Sequence, residues 1–146
     1  MTNQLLIGIL MISALTFLTI GIGMVRAKET KESCFKKARA TMTARGTGGY
    51  ECISPVVQFM DGTREVTSRM IYEIPDKPEY KEGAELDVLY CPKRVLGGIY
   101  TQSVILDDDG KSLKRLRRLY FIGGGIFIVV GVAFAVVTVI LGKAWL

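Results

Sequence analysis

The sequence of 146 residues contains no histidine, and it has only four prolines, three cysteines and one tryptophan. Without histidine the chain cannot form Ser-His or Cys-His nucleophile pairs. It also lacks the usual general base near neutral pH and the most common zinc ligand. We therefore expect a protein that is not an enzyme and that uses no metal ion or other cofactor. The distribution of its charged and apolar residues indicates the class of protein more clearly.

Two long runs of the sequence carry no charged residue. The first covers Leu5 to Val25 and the second covers Tyr120 to Gly142, with 21 and 23 residues. A helix that crosses a membrane needs about 20 mostly apolar residues, so we predict transmembrane helices at 5–25 and 120–142. Tyr120 and Trp145 stand at span ends, where aromatic rings favour the membrane interface. The first run is interpreted as a retained anchor, because the leader before it has no basic residue, unlike a signal peptide.

Basic residues concentrate in the two segments beside these runs, 26–39 and 111–119. They are Arg26, Lys28, Lys31, Lys36, Lys37, Arg39, Lys111, Lys114, Arg115, Arg117 and Arg118. Basic residues near span ends are retained on the cytoplasmic side. We therefore predict a membrane protein whose middle part is cytoplasmic and whose termini lie outside. These residues either recruit anionic lipids as well or only fix the topology.

Residues 40–110 change to strand and turn signals, with 7 basic and 12 acidic residues. Alternating or β-rich segments predict strands at 38–45, 56–60, 63–71, 86–90 and 99–105. Such spacing favours a small antiparallel β-barrel or sandwich of about five strands. Residues 26–39 are expected to continue the first helix as a basic connector, and 111–119 to connect back to the second. The predicted fold class is membrane α + β, with two transmembrane helices flanking this β-domain.

The three cysteines, Cys34, Cys52 and Cys91, are widely spaced and form no Cys-x-x-Cys pair. We expect reduced thiols in a reducing compartment and no disulfide framework. Cys34 lies among lysines, so a reactive thiol or a lipid attachment site remains open there.

Small residues at helical spacing mark a candidate packing surface in each span: Thr19, Gly23, Gly124, Gly131 and Ala135. Such surfaces allow the backbones of membrane helices to approach closely. Packing of the two spans on each other and packing on a partner or a second copy are both compatible with this pattern. Neither run contains an ionisable residue, which argues against an ion or proton pathway.

Two motifs in the middle part resemble a known family. Ile53-Ser54-Pro55-Val56-Val57-Gln58-Phe59, followed by Asp61-Gly62, resembles a Tyr-x-Pro-Val-Val-x-Phe hairpin, and the segment 83–92 resembles Gly-Asp-x-Val-x-Val-x-Tyr-x-Pro. Together they are similar to the bacterial domain of unknown function 3592 family of small membrane proteins. The resemblance implies a small β-barrel-like domain on a two-helix anchor in a bacterial inner membrane, and it supplies no catalytic residues to carry over.

The residues of these motifs have structural interpretations of their own: Pro55, Phe59, Asp61, Gly62, Gly83, Tyr90 and Pro92. Pro55 fits the start of an edge strand, and Pro92 is expected to end a strand. Asp61-Gly62 is expected to supply the positive φ angles of a tight turn, and Gly83 to permit the turn into the next strand.

Three further patterns favour ordinary structure over chemistry. Asp107-Asp108-Asp109-Gly110 lacks the ligand spacing of a calcium loop and is interpreted as a turn. Ser33-x-x-Lys36 lacks the partner motifs of a penicillin-binding enzyme. The glycine-rich segment 46–49 lacks the lysine of a phosphate-binding loop.

We therefore predict a non-enzymatic, membrane-anchored interaction or accessory protein: a scaffold, a complex subunit or an immunity-type partner of a toxin. Its partners would be membrane lipids and another membrane or cytoplasmic protein or a second copy, with no nucleic acid, because its basic residues lie on the membrane side. The alternative is a membrane-tethered barrel that senses a small ligand or a lipid.

Overall fold

A computed structural model of the chain describes residues 2–94 and 100–144. These residues form two compact units. One contains the chain up to Thr30 together with the chain from Arg117 onward, and the other spans Lys31–Leu116. The predicted strand position Ile99 and the predicted interface residue Trp145 lie outside the described residues.

The chain has two long helices, α1 at Thr2–Val25 and α2 at Lys111–Ala144, and the first unit contains α1 and the part of α2 from Arg117 onward. Both are long and apolar enough to cross a membrane, as the two uncharged runs predict. Helix α2 begins at Lys111, so the basic segment 111–119 forms its first turns. This start is fixed by Asp108, whose carboxylate accepts hydrogen bonds from the Ser112 amide and hydroxyl, both at 2.8 Å.

The two helices pack antiparallel through glycines. A Cβ atom at Gly21 would lie 2.8 Å from the Gly124 carbonyl oxygen, and one at Gly131 would lie 2.7 Å from the Leu18 Cγ. The missing side chains therefore allow the helix backbones to approach closely. Next to this contact, the Phe17 ring stacks at 5.6 Å, between centroids, on the ring of Phe134.

The second unit is a curled antiparallel sheet of five strands with a small two-stranded ribbon. The strands are β1 at Lys36–Ala44, β2 at Cys52–Ile53, β3 at Val56–Asp61, β4 at Arg64–Arg69, β5 at Ile74–Pro75, β6 at Glu85–Arg94 and β7 at Tyr100–Leu106. The sheet order is β4-β3-β1-β6-β7, and β2 pairs with β5. Just after β4, the Ile71 amide donates to the Val104 carbonyl of β7 at 2.9 Å, so the two sheet edges approach each other. The predicted antiparallel β-domain is confirmed.

The start of β1 differs from the prediction of a helical connector over 26–39. Helix α1 ends at Val25, two 3-10 turns follow at Lys28–Thr30 and Glu32–Cys34, and β1 begins at Lys36. Ala38, Ala40 and Met42 alternate along β1 and contribute to the core. Apolar residues therefore alternate with charged or polar ones along β1. The many charged residues over 26–39 predicted a solvated helix instead.

The core fills the inside of the curled sheet. Strands β1, β3, β6 and β7 contribute buried side chains to it, Met70 follows β4, and the ribbon contributes two more: Ala40, Met42, Ile53, Val57, Phe59, Met70, Ile74, Leu86, Val88, Tyr90 and Val104. Val66 of β4 is partly buried against this core. Side chains of this size fill the interior of a small barrel. On the opposite face of β6, Leu89 and Cys91 are also buried, so the end of this strand is covered on both sides.

Two predictions about prolines are wrong. Pro92 does not end β6, which continues to Arg94. The pairing of β1 with β6 reaches only to Tyr90, opposite Lys36, so Pro92 has a neighbouring strand on one side only, where it is opposite Gln102 of β7. A proline is tolerated there because its missing amide hydrogen is not needed on the unpaired side. Pro55 precedes β3, which is an interior strand, and its carbonyl accepts the Met70 amide at 3.0 Å.

The hairpin between β3 and β4 has a two-residue loop. Asp61 pairs with Arg64, so Gly62 and Thr63 form the turn, and Gly62 has a φ of +63°. Glycine at the first loop position is typical of a type II′ turn. Asp61 is therefore the last residue of its strand, and it has no positive φ angle, contrary to the prediction for this residue. Gly83, with a φ of +85°, lies in the turn before β6.

Candidate functional site

The two sequence motifs meet in the core of the β-domain. Phe59 and Tyr90 pack with ring centroids 4.8 Å apart. The Tyr90 hydroxyl donates a hydrogen bond to the Asp61 Oδ1 at 2.8 Å. This pair joins the end of β3 to β6, which are separated in the sheet by β1. Asp61, expected only to shape a turn, is therefore an anchor for a buried tyrosine.

Burial raises the pKa of Tyr90 to about 12, and the hydrogen bond to Asp61 and its negative charge act in the same direction. Each of these causes disfavours the tyrosinate anion. A tyrosine held so firmly in its neutral form is unsuited to act as a general base or nucleophile near neutral pH. The pair is a structural link, and we assign it no chemical step.

Cys34 and Cys91 form a disulfide bond, with Cα atoms 5.3 Å apart and a sequence separation of 57. The prediction that these two cysteines remain separate thiols is wrong, because the path of the chain returns β6 to the turn at Glu32–Cys34. Cys91 is fully buried and Cys34 is half-buried. Cys52 is a free, half-buried thiol.

A cleft of about 340 Å³ lies beside this disulfide, within the β-domain unit. It is lined by Glu32 and Phe35, by Leu89 of β6, and by Asp107 and Leu113. The Lys37 ammonium and the Asp107 carboxylate, also at the cleft, form an ion pair at 3.0 Å. Because Cys34 lies between Glu32 and Phe35, the disulfide fixes one wall of the cleft to β6.

A second, shallow groove of about 420 Å³ runs over the outer surface of β1, β3 and β4. It is lined by polar and charged side chains, among them Arg39, Gln58 and Glu65, and by Met60, which is 55% exposed. Arg39 forms an ion pair with Glu85 at 2.9 Å. The outer face of the sheet therefore presents mixed charges around one exposed apolar side chain.

The basic residues beside the helices have two different environments. Lys37, Arg39 and Arg115 have partners within the β-domain unit. Lys37 pairs with Asp107, Arg39 pairs with Glu85, and the Arg115 guanidinium lies 4.8 Å from the centroid of the Tyr72 ring. The others that are exposed are Arg26, Lys28, Lys31, Lys36, Lys111, Lys114 and Arg118. In the first turns of α2, Leu113 and Leu116 are buried while the lysines remain exposed, so this part of the helix is amphipathic.

The candidate packing residues of the spans divide similarly. Gly124 and Gly131 lie at the contact with α1, and Ala135 lines an apolar groove with Ala14. Thr19 and Gly23 are exposed, and a Cβ atom at Gly23 would meet nothing within 4 Å. Gly21, which the sequence pattern did not single out, is one of the residues of α1 at this contact.

The remaining candidate patterns have structural roles. Within residues 2–94 and 100–144, no three side chains of the metal-ligating types His, Cys, Asp and Glu are grouped to hold a metal ion. Asp107 pairs with Lys37, and Asp108 caps α2. Asp109 has a φ of +55° in the turn between β7 and α2. In the glycine-rich loop, the Gly49 amide donates to the Glu73 carboxylate at 3.1 Å.

Comparison with known proteins gives no match to a family model, to a curated protein or to a solved structure. The resemblance of the two motifs to the domain of unknown function 3592 family stays a prediction.

Proposed function

We propose that this chain is a non-enzymatic, membrane-anchored interaction protein that presents its β-domain at the cytoplasmic face of a bacterial inner membrane. The observation that carries the proposal is the filled interior of the curled sheet. Side chains of the core, including Met42, Val57 and Val88, are fully buried there. Because the inside of the domain is occupied by its own side chains, its outer surface is what remains for recognition.

Anchoring in a membrane is supported by the surface of the two helices. Large apolar side chains such as Leu5, Ile12, Val129 and Ile140 are more than half exposed although the helices pack on each other. A contiguous apolar surface of this extent in water would promote aggregation. In a membrane, lipid chains cover this apolar surface instead of water. We therefore propose membrane lipids as one partner of the protein.

The proposed cytoplasmic placement of the β-domain is supported by the basic residues beside the helices. Ten of these eleven residues are exposed, including Lys111, Lys114 and Arg118 on the first turns of α2, and anionic lipid headgroups attract such side chains. Labelling of the free thiol of Cys52 with a membrane-impermeant maleimide tests the placement. The thiol should stay unlabelled in intact cells and react after the membrane is permeabilised. Labelling from outside intact cells would contradict the placement.

The interaction is proposed to use the outer groove beside Met60, and the partner is another protein or a second copy of the chain. The filled core gives no support to the alternative, a barrel that senses a small ligand in its interior. That alternative requires a saturable thermal shift with a ligand, and a flat response across a broad library would count against it.

Co-purification of the full chain in mild detergent tests the proposal. The wild type should retain a stoichiometric partner, or should have the mass of a homo-oligomer by light scattering. Met60→Glu should lose the association, whereas Tyr50→Glu, which changes a side chain that is 92% exposed outside the groove, should keep it. A wild-type chain that is strictly monomeric and alone across detergents would refute the proposed function.

A further inference from the structure

The outer groove over β1, β3 and β4 lies where the pairing of two strands stops. Strand β1 pairs with β3 from Ala44 to Thr41, which is opposite Gln58. Its pairing with β6 continues from Thr41 to Lys36. Across the groove, Phe59–Asp61 of β3 continue to pair with β4. The described pairing of β1 with β3 therefore ends at Thr41 and Gln58, and the groove opens beyond this last pair.

The stretch of β1 that lines the groove directs the backbone groups of two residues toward it. The Met42 amide donates to the Ala84 carbonyl at 2.9 Å, and the Met42 carbonyl accepts the Gly83 amide at 2.7 Å. The backbone groups of Met42 therefore point to the side of β6. Successive residues of an antiparallel strand point their backbone groups to alternate sides. Those of Lys37 and Arg39, an odd number of positions away, are therefore directed to the side of the groove.

The side chains of the same two residues make this backbone edge basic. The side chains of Lys37 and Arg39 are 80% and 73% exposed. Each forms an ion pair, with Asp107 and Glu85 respectively. Ammonium and guanidinium groups carry several N–H donors, so each can bind a further carboxylate. The groove therefore combines a backbone edge with two cations that attract acidic side chains.

We propose that this groove binds an extended segment of a partner protein, which adds to β1 as an antiparallel strand at Lys37 and Arg39. The inference rests on the proposed function, in which the outer groove beside Met60 is the interaction surface, and it adds the mode of binding. Main-chain hydrogen bonds to a strand edge give affinity, and alternate side chains give specificity. The segment carries acidic side chains beside Lys37 and Arg39, and apolar ones toward Ala38 and Phe59, which line the groove.

The occupant is a different protein and not a second copy of the chain. In this sequence, two acidic residues flank a single apolar one only at Glu85, Leu86 and Asp87. That segment lies in β6 and is already paired with β1, opposite Thr41 to Arg39. A folded second copy therefore has no such strand to offer.

Binding of short peptides to the purified full chain in mild detergent tests the mode of binding. The probe is a fluorescent peptide in which glutamate and valine alternate, and its binding is followed by anisotropy. It should bind saturably, and a version with lysine in place of glutamate should not. No saturable binding of the probe, or equal binding of the lysine version, would overturn the inference.

Methylated versions of the probe test the backbone hydrogen bonds on the wild-type protein. Opposite residues of an antiparallel pair exchange both hydrogen bonds, so the glutamate amides beside Lys37 and Arg39 face β1. Methylation of these amides should weaken binding at least about tenfold. Methylation of the valine amides, which face away from β1, should weaken it much less. Equal weakening by the two patterns would overturn the addition to β1.

Substitution of Arg39 tests the same edge from the side of the protein. Arg39→Pro removes the amide that faces the groove and keeps the pairing with β6, because a strand tolerates proline where its amide serves no neighbour. It should abolish binding of the probe, whereas Arg39→Ala, which keeps the amide, should only reduce it. Equal binding by the two variants, with unchanged thermal melts, would contradict a role of the backbone. The methylated peptides do not depend on the folding of either variant.

Failure of this inference and failure of the proposed function are distinguishable by co-purification. If Met60→Glu loses the partner and Arg39→Pro keeps it, the groove binds a protein without strand addition, and only this inference is overturned. A wild type that is alone and monomeric in every detergent overturns the proposed function, whatever the peptides do. An oligomer that becomes monomeric with Arg39→Pro would place a second copy in the groove and overturn the choice of a different protein.

Discussion

Raising the pH through the range in which tyrosine ionises should destabilise the β-domain through Tyr90. Its pKa is raised from the ordinary value of 10.0 to about 12 in the folded chain, first by burial and then by Asp61. A raised pKa means that the folded state holds the proton more tightly than the unfolded state. The stability from this proton is complete below pH 10 and is lost as the pH rises to about 12. Two pKa units correspond to about 3 kcal/mol, and Tyr90 is only 5% exposed.

The assay is urea unfolding of the full chain in mild detergent, followed by circular dichroism between pH 9 and pH 12. Tyr90→Phe should lower the free energy of unfolding by about 1.5 kcal/mol at pH 9, because a hydrogen bond to a charged, partly hydrated carboxylate is lost. It should also remove the extra alkaline loss, since phenylalanine cannot ionise. Asp61→Asn should weaken that loss only in part, because burial is the largest cause. If wild type and Tyr90→Phe lose stability in parallel up to pH 12, the reasoning is refuted.

Three other perturbations have defined outcomes in the same detergent. Gly131→Leu should lower the free energy of unfolding of the helix pair by about 1–3 kcal/mol through overpacking against α1, which a lower melting temperature reports. Gly125→Leu should leave the melting temperature unchanged, because a Cβ atom there meets nothing within 4 Å. Equal effects of the two substitutions would contradict the contact. Asp108→Ala should cost about 1 kcal/mol by removing the cap of α2, and Asp109→Gly, at a φ of +55°, should cost nothing. Cys34→Ser should lower the stability of the oxidised domain by about 4 kcal/mol, from the loop entropy of a 57-residue separation, and an unchanged urea midpoint would contradict this.

The parts of the fold that sequence predicted are those with a local signal. The uncharged runs that became α1 and the apolar part of α2 need only length and composition. The strand at β6 shows its alternation in Leu86, Val88 and Tyr90. Over 36–39, charge and periodicity indicate different structures. The charged residues favour a solvated helix, whereas the segment forms the start of β1.

The parts that sequence could not predict depend on which strands become neighbours. Tyr90 meets Asp61, and Cys91 meets Cys34, only because the sheet order is β4-β3-β1-β6-β7. The spacing of the cysteines in the sequence does not predict this strand order, and therefore does not predict the disulfide. Gly21 was missed for a related reason, because one helix pattern does not reveal which face will meet α2.

The disulfide also closes a covalent ring that runs from Cys34 to Cys91 and encloses β1 to β5 and most of β6. A protease that cuts once inside the ring, for example after the exposed Arg45 that follows β1, would not separate the two pieces. Each piece would keep its own apolar helix, and the nicked chain would remain one molecule until the ring is reduced. The redox state of this one bond therefore decides whether a single cut leaves one covalently linked molecule or two separate pieces.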